Sequence, residues 1–346
     1  MTNKTSSTLD FKDGFIEMAH GSGGRASATL IDELFLPAFD NSYLQEKSDQ
    51  ATLSLPQSRI TMATDSHVIS PLFFPGGNIG SLAVHGTVND VCMSGAQPLY
   101  LSVGFILEEG FPLSELKRIV DSMAEAAQEA GVKIVTGDTK VVEQGHGDGV
   151  YINTTGIGAL PEDINLSPVN IKAGDKVIIS GTLGDHGTCI MSQRQGMNFS
   201  SALKSDSQAL NDLVESMLEA APAIRCMRDP TRGGLAAVLH ELCQGRALGI
   251  SLEEANLPIK PEVAATAELL GLDPLHIANE GKLVAICPAE QTKQLLQVMK
   301  QHPKGRDAEI IGELIKDENE LIQLTTNFGG KRLIEWRYAD QLPRIC

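Results

Sequence analysis

Six cysteines are scattered through the 346 residues without one CxxC pair. That spacing offers no zinc ribbon and fits a reducing compartment, the cytoplasm, better than a disulfide framework. No apolar run is long enough to span a membrane. Met1 to Asp10 is polar, with no apolar segment before a cleavage pattern, so neither a secretion signal nor an anchor is expected. Positive charge is scarce: 28 Lys and Arg stand against 44 Asp and Glu, a net charge of −16. Such a field repels DNA, RNA and anionic lipid, so no nucleic-acid or membrane partner is expected. An anionic nucleotide would need local help from metal ions, backbone N–H groups or a few placed cations. The glycine turns match neither the Walker pattern nor GxGxxG, and no HxH, HExxH or Cys/His spacing links the histidines. Low-complexity tracts and short repeats are absent too.

What remains is ordinary globular composition, 42% hydrophobic and 21% charged, in a chain long enough for two α/β domains. A glycine-rich arm occupies 1–45. Strand-like runs follow, Ile60 to Thr64 leading into Asp65 and Val132 to Thr136 leading into Gly137-Asp138, so that both strands deliver a carboxylate at their C-terminal ends. Between them Leu113, Leu116, Ile119, Val120, Met123, Ala124 and Ala127 recur at helical spacing, with Gly131 placed to end the helix. The Pro-containing stretch Leu160 to Pro168 predicts a boundary between a domain at 46–160 and another at 161–335. The second half repeats strand–helix–strand through Lys176–Ser180, Thr231–Leu242, Leu283–Cys287, Glu290–His302 and Glu309–Ile315. Residues 336–346 read as a mobile tail.

Asp65, Asp90, Asp138 and Asp229 all flank glycine, asparagine, proline or the ends of elements. Each suits a turn or a cap as well as a metal ligand. Mg2+ takes one or two carboxylates plus phosphate oxygens, which limits how many of the four can be ligands. The turns at Gly21 to Gly24, Gly76-Gly77, Gly181 to Gly187 and Gly233-Gly234 allow close backbone approach to phosphate, or are plain tight turns. Lys140 follows Asp138 by two, so both point to one side of a strand, as an ion pair or a phosphoryl contact. Glu280 in Asn279-Glu-Gly-Lys282 is a general base or a solvated loop charge. His20, His85 and His186 neighbour glycine and are candidates to line pockets. The last residue is Cys346, and seven extended residues span roughly 23 Å, enough for its thiol to reach a site elsewhere.

Taken together, His20-Gly-Ser-Gly-Gly24, Ala63-Thr-Asp-Ser66, Phe73-Phe-Pro-Gly-Gly-Asn-Ile-Gly80, Gly86-Thr-Val-Asn-Asp90, Gly104-Phe-Ile-Leu-Glu-Glu-Gly110, Thr136-Gly-Asp-Thr-Lys-Val141, Ser180-Gly-Thr-Leu-Gly-Asp-His-Gly187, Arg228-Asp-Pro-Thr-Arg-Gly-Gly234, Ala278-Asn-Glu-Gly-Lys282 and Pro343-Arg-Ile-Cys346 resemble the HypE family of hydrogenase maturation factors. That family is related to aminoimidazole ribonucleotide synthetase and selenophosphate synthetase. The resemblance implies a two-domain α/β synthetase-like fold with mixed sheets. An N-terminal sheet domain would dimerise, and a C-terminal domain would close over ATP. Where the selenophosphate enzymes carry an aspartate before the central helix, this chain has Asn78.

It also implies the chemistry. HypF carbamoylates Cys346, the S-carbamoyl group is dehydrated with ATP to a thiocyanate, and the cyano group passes to iron on a HypC–HypD complex. By the same resemblance, Asp65, Asp90 and Asp229 are the candidates to hold Mg2+. Gly21, Gly23, Gly24, Asp138, Lys140 and Arg232 would contact the nucleotide, with Lys140 at the transferring phosphoryl group and Glu280 as the base. Two other readings stay open: a small-molecule synthetase of the same superfamily that has no use for Cys346, and a nucleotide-binding adaptor that displays its tail.

Overall fold

The computed structural model describes residues 9–22, 24–46, 50–56, 58–196, 203–337, 342 and 344–346. Among the described residues the first half holds β1 (Arg59–His67), the two-residue pair β2 (Phe73–Phe74) and β3 (Gly77–Asn78), β4 (Gln97–Glu108), β5 (Lys133–Val142) and β6 (Val150–Leu160). The second half holds β7 (Lys176–Ile179), β8 (Cys226–Arg228), β9 (Leu248–Glu253), β10 (Val284–Cys287), β11 (Glu309–Lys316), β12 (Ile322–Thr325) and β13 (Lys331–Leu333). The helices are α1 (Gly24–Leu30), which runs through a π-helical turn into α2 (Leu36–Phe39), then α3 (Ser42–Gln45), α4 (Ile79–Cys92), α5 (Leu113–Ala130), α6 (Asp185–Arg194), α7 (Asn211–Ala220), α8 (Gly234–Cys243), α9 (Pro261–Leu270) and α10 (Ala289–Gln301). No helix among the described residues is long and apolar enough to cross a membrane.

Two mixed sheets result. The first runs β1-β6-β4-β5, antiparallel except where β5 joins β4 in parallel; the second runs β13-β12-β9-β11-β7-β10-β8, with β12 beside β9 its one parallel pair. One face of the first sheet is covered by α4 and α5. The periodic residues of α5 are why it lies there. Leu113, Leu116, Ile119, Val120 and Met123 are all buried, each such side chain contributing about 1.5–3 kcal/mol, and Gly131 ends the helix in the left-handed conformation, φ 70°. Helix α4 is buried almost all round. Its start is capped by Asn78, whose Oδ1 accepts from Gly80 N at 2.8 Å and Ser81 N at 3.3 Å. This gives the asparagine a structural role at the helix N-terminus.

The strands outrun the sequence expectation. Asp65 and Asp138 are interior to β1 and β5 and not at their ends, because pairing continues past them: Ser66 faces Asn153, and Ile106 faces Lys140. Asp90 likewise belongs to α4 and not to a turn.

The tail also departs from expectation. Leu342 and Ile345 are 2% and 1% exposed and join a core cluster that contains Ile190, Ile277 and residues of the first domain. The described end of the chain is therefore docked, not swinging loose. The apolar spacing of Leu342 and Ile345 supplies the burial that holds it.

Candidate active site

Register places the candidate residues on opposite faces of the first sheet. Residues directly opposite one another on neighbouring strands share a face. Asp65 pairs with Thr154, Thr154 with Val103, and Val103 with Gly137; this is the helix-covered side. Ser66, Asn153, Gly104 and Asp138 form the next row and point the other way. Strands β1 and β5 are opposite edges, about 14 Å apart at the usual interstrand spacing. Within one protomer Asp65 is thus separated from Asp138 and Lys140 by the sheet itself.

Asp65 meets α4 at Gly86. A Cβ on that glycine would lie 3.1 Å from His67 Nε2 and 3.4 Å from Asp65 Oδ2, and Asp90 follows one helical turn later. Asp229, in the loop after β8, and Glu280, before β10, complete an acidic cleft between the domains. Burial pushes Asp90 up to about 7, with Asp229 and Asp65 adding to the rise, while Arg228 and Arg232 oppose it. Burial lifts Asp229 to about 6, with Asp65 and Glu241 contributing. Glu280 is held well above the usual carboxylate range by burial, then by Asp206, Asp229, Asp65 and Asp90. Its Oε1 is buried without a hydrogen-bond partner. The solvated-loop reading of Glu280 is therefore wrong: the Asn-Glu-Gly-Lys segment folds inward.

Beside Glu280 lies a carboxylate that sequence reasoning missed. Asp206 accepts from Glu280 N and Gly281 N, each at 3.2 Å, and pairs with buried Lys282 at 3.1 Å. Lys282 and these bonds keep Asp206 below its ordinary pKa against its own burial. Two neighbouring acids thus have opposite tendencies, the arrangement that divides acid from base in an active site. His67 was missed as well. It is fully buried, burial lowers its pKa, and its Nε2 is 3.3 Å from Asp65 Oδ2. An alternating strand bearing Asp65 and His67 on one face was the available signal.

These residues fit a hard cation, since the donors are oxygens, they repel one another when ionised, and one buried oxygen has no partner. Among the described residues no group of three or more His, Cys, Asp or Glu closes tightly enough to hold an ion unaided. Phosphate oxygens would have to supply the remaining ligands.

The burial of these carboxylates, with the repulsion that adds to it, can be measured. In the nucleotide-free protein, folded Asp229 keeps its proton up to about pH 6, whereas the unfolded chain releases it near the ordinary aspartate value of about 3.9. Its contribution is present below that value and is lost as pH rises through 6. Asp229→Asn has no such loss. Its melting temperature relative to wild type should climb from about pH 4 to pH 8 by several degrees, on the order of 2–3 kcal/mol; a flat difference would refute the burial of Asp229 in this acidic cleft.

At the far edge of the sheet, Gly21 packs against β5 so closely that a Cβ would lie 2.4 Å from Val141 N. Gly24 opens α1 with φ 78°; Gly23 lies outside the described residues. A cavity of about 670 Å³ lies here, walled by Gly21, Phe35, Phe39 and Tyr43 and by Asp138 and Lys140 of β5. That size and its apolar walls suit a nucleoside. Lys140 Nζ donates to Asp138 Oδ1 at 2.6 Å, the same-side pairing the spacing predicts.

The tail forms the third element. Val68, three residues beyond Asp65, donates its N–H to Cys346 O at 3.0 Å. His186 Nε2 is 2.8 Å from Ile345 O, and His186 Nδ1 is 2.8 Å from Ser205 Oγ. Arg344 Nε donates to Val68 O at 2.9 Å, Arg344 pairs with Asp148, and Arg194 donates to Arg344 O. Gly187 makes room for this, since a Cβ would meet Ile277 Cγ2 at 2.5 Å and Leu342 Cδ1 at 3.0 Å. The Ser180–Gly187 turn thus serves the tail, while Gly184 takes the left-handed N-cap of α6. Of the neighbouring histidines, His20 accepts from Glu17 N at 2.9 Å, and His85 bonds Ser207 at 2.9 Å.

His186→Ala would strand the buried Ile345 carbonyl, a loss of about 1–3 kcal/mol. Alkylation of Cys346 by iodoacetamide should then accelerate roughly 10-fold or more; an unchanged rate would mean that the histidine does not hold the tail.

Residues 47–160 match the model of the AIR synthase related protein, N-terminal domain, and residues 172–324 that of its C-terminal domain. The chain is 58% identical over 340 residues to carbamoyl dehydratase HypE of Azotobacter vinelandii, covering 98% of this chain and 100% of that one. A crystal structure of hydrogenase maturation protein HypE in complex with ATP superposes with a TM-score of 0.92 at 47% identity, over 95% of this chain and 99% of the other. A HypE–HypF complex structure gives 0.78 at 50% identity, over 89% and 99%.

Proposed function

Because the chain belongs to the HypE family of carbamoyl dehydratases, ATP-dependent enzymes of hydrogenase maturation, we propose that its substrate is its own terminus, an S-carbamoyl group on Cys346. The observation that carries this reading is the docking of Cys346 beside Val68, three residues from Asp65. That separation is at most about 10 Å of extended chain.

The amide oxygen is a poor leaving group, so it first attacks the γ-phosphorus of ATP in line, displacing ADP and forming an O-phosphoimidate. Loss of the N–H protons and cleavage of the C–O bond then form C≡N and release inorganic phosphate. Glu280 is the base. Burial, then Asp206, Asp229, Asp65 and Asp90, raise its affinity for protons above that of an ordinary carboxylate, which makes its ionised form a strong proton acceptor. Asp65, Asp90 and Asp229 would hold Mg2+, which when bound supplies neutralising charge for the phosphates. Arg232, close enough to Asp90 and His67 to influence both, binds phosphate. The buried tail contacts exclude water that would hydrolyse the intermediate. The groove at Gly21, Gly24, Asp138 and Lys140 takes the nucleoside end or meets phosphate from across a dimer.

The dimer is supported by the open sheet face, where Met62 and Ile60 on β1 and Ile106 on β4, two strands separated by β6, are 67%, 51% and 45% exposed. An apolar strip of this kind is the expected mark of an interface. Met62→Asp should give a monomer by light scattering, and a persistent dimer would send the interface elsewhere. HypF is the proposed carbamoyl donor, as the similar HypE–HypF complex suggests. A HypC–HypD complex is the proposed cyano acceptor, and the cytoplasm the site of action, where thiols stay reduced. The deciding experiment is mass spectrometry of the C-terminal peptide: carbamoylated protein with Mg-ATP loses one water.

A further inference from the structure

A second cavity, of about 290 Å³, opens between the start of α6 and the segment after α10. Its lining contains Lys204, Lys260, Lys282, Lys304 and Arg306 against three carboxylates, a local excess of two positive charges. In a chain of net charge −16, that concentration runs against the field of the whole molecule. Three of the cations are already matched: Lys260 with Asp185 at 3.0 Å, buried Lys282 with Asp206 at 3.1 Å, and Lys304 with Asp212 at 2.7 Å. Gly181 keeps the wall thin, since a Cβ there would sit 2.8 Å from Lys282 Cε. Lys204 and Arg306 have no hydrogen bond or ion pair among the described residues. The pocket therefore presents two uncommitted cations, one a planar guanidinium suited to bidentate oxyanions, above a buried, pre-paired floor.

We propose that this pocket is a binding site for a phosphoryl dianion, separate from the aspartate cleft. The cavity is too small for a nucleoside triphosphate, and among the described residues no aromatic side chain lines it to take a base. Its floor residue Lys282 bonds Asp206, which in turn holds the backbone of Glu280 and Gly281, so one ion pair links the pocket to the proposed base. If the dehydration proceeds as proposed, each turnover releases one inorganic phosphate, and this pocket is a cationic stop on its way out. That last identification rests on the preceding reading; the anion site does not.

Two sources of the dianion must be separated, free orthophosphate and the terminal phosphate of bound ATP. Calorimetric titration of the uncarbamoylated full chain with inorganic phosphate, with and without saturating ATP, does so without any turnover. The expected result is one saturable phosphate site, unchanged by ATP and by Asp229→Asn, and weakened about 10- to 100-fold in the Lys204→Ala/Arg306→Ala double variant. Neither replaced side chain has a partner among the described residues, so the variant should keep its wild-type melting temperature. Absence of saturable binding, equal binding in the double variant, or displacement of phosphate by ATP would each overturn the proposal. The water-loss assay is scored independently, so either idea can fail without the other.

Discussion

Cys346→Ala should fold, melt within about 1 kcal/mol of wild type, bind ATP, and give no water loss at all when supplied with a carbamoyl donor and Mg-ATP. The loss is complete because no other thiol can substitute. Cys92, Cys189, Cys226, Cys243 and Cys287 are buried, whereas Cys346 is half-buried at the chain's end. Burial also pushes Cys189, Cys226 and Cys287 to about 11 and Cys243 to about 12, and lifts Cys92 well above its ordinary value. The nucleophile in sulfur chemistry is the thiolate, so those five are inert at neutral pH. The measurement is peptide mass together with ADP release. ATP use undiminished in Cys346→Ala would revive the small-molecule synthetase; ATP binding without any dehydration in the wild type would favour the adaptor.

Glu280→Gln should still accept the carbamoyl group and bind ATP, yet dehydrate about 10²- to 10⁴-fold more slowly, the range for a lost general base. The stalled protein would accumulate the carbamoylated tail, which peptide mass shows directly. Stability should move the other way. Folded Glu280 holds its proton above the ordinary carboxylate range, so its contribution is present below the unfolded value and lost as pH rises through the folded one. Glutamine escapes that loss, so the variant's advantage in melting temperature grows toward alkaline pH. A variant both less stable and fully active would remove Glu280 from the chemistry.

Local pattern made part of this visible in advance. The 3.6-residue recurrence through α5 and the glycine after it specify an amphipathic helix and its end, because side chains one turn apart must share a face. The two-residue step from Asp138 to Lys140 specifies a shared side on any strand, and the ion pair follows. The same logic misjudged where β1 and β5 stop: a carboxylate after an apolar run reads as a turn, but partners on both sides of β6 and β4 keep the strands extended. It also misread Glu280, since a loop of Asn, Glu, Gly and Lys looks solvated until Asp206 and Lys282 enclose it.

What the residues determined unaided is the acidic, thiol-bearing, two-domain α/β character of the chain, and many of the side chains capable of the chemistry, though not Asp206 or His67. Those properties depend on composition and on neighbours a few positions apart. Tertiary structure alone decided which of them meet. Asp65 and Asp229 are brought into one cleft, Asp65 and Lys140 are parted by the sheet, and His186 receives the carbonyl of Ile345. Contacts across so many residues are set by which faces bury against which, and a pattern read along one chain carries no record of that closure.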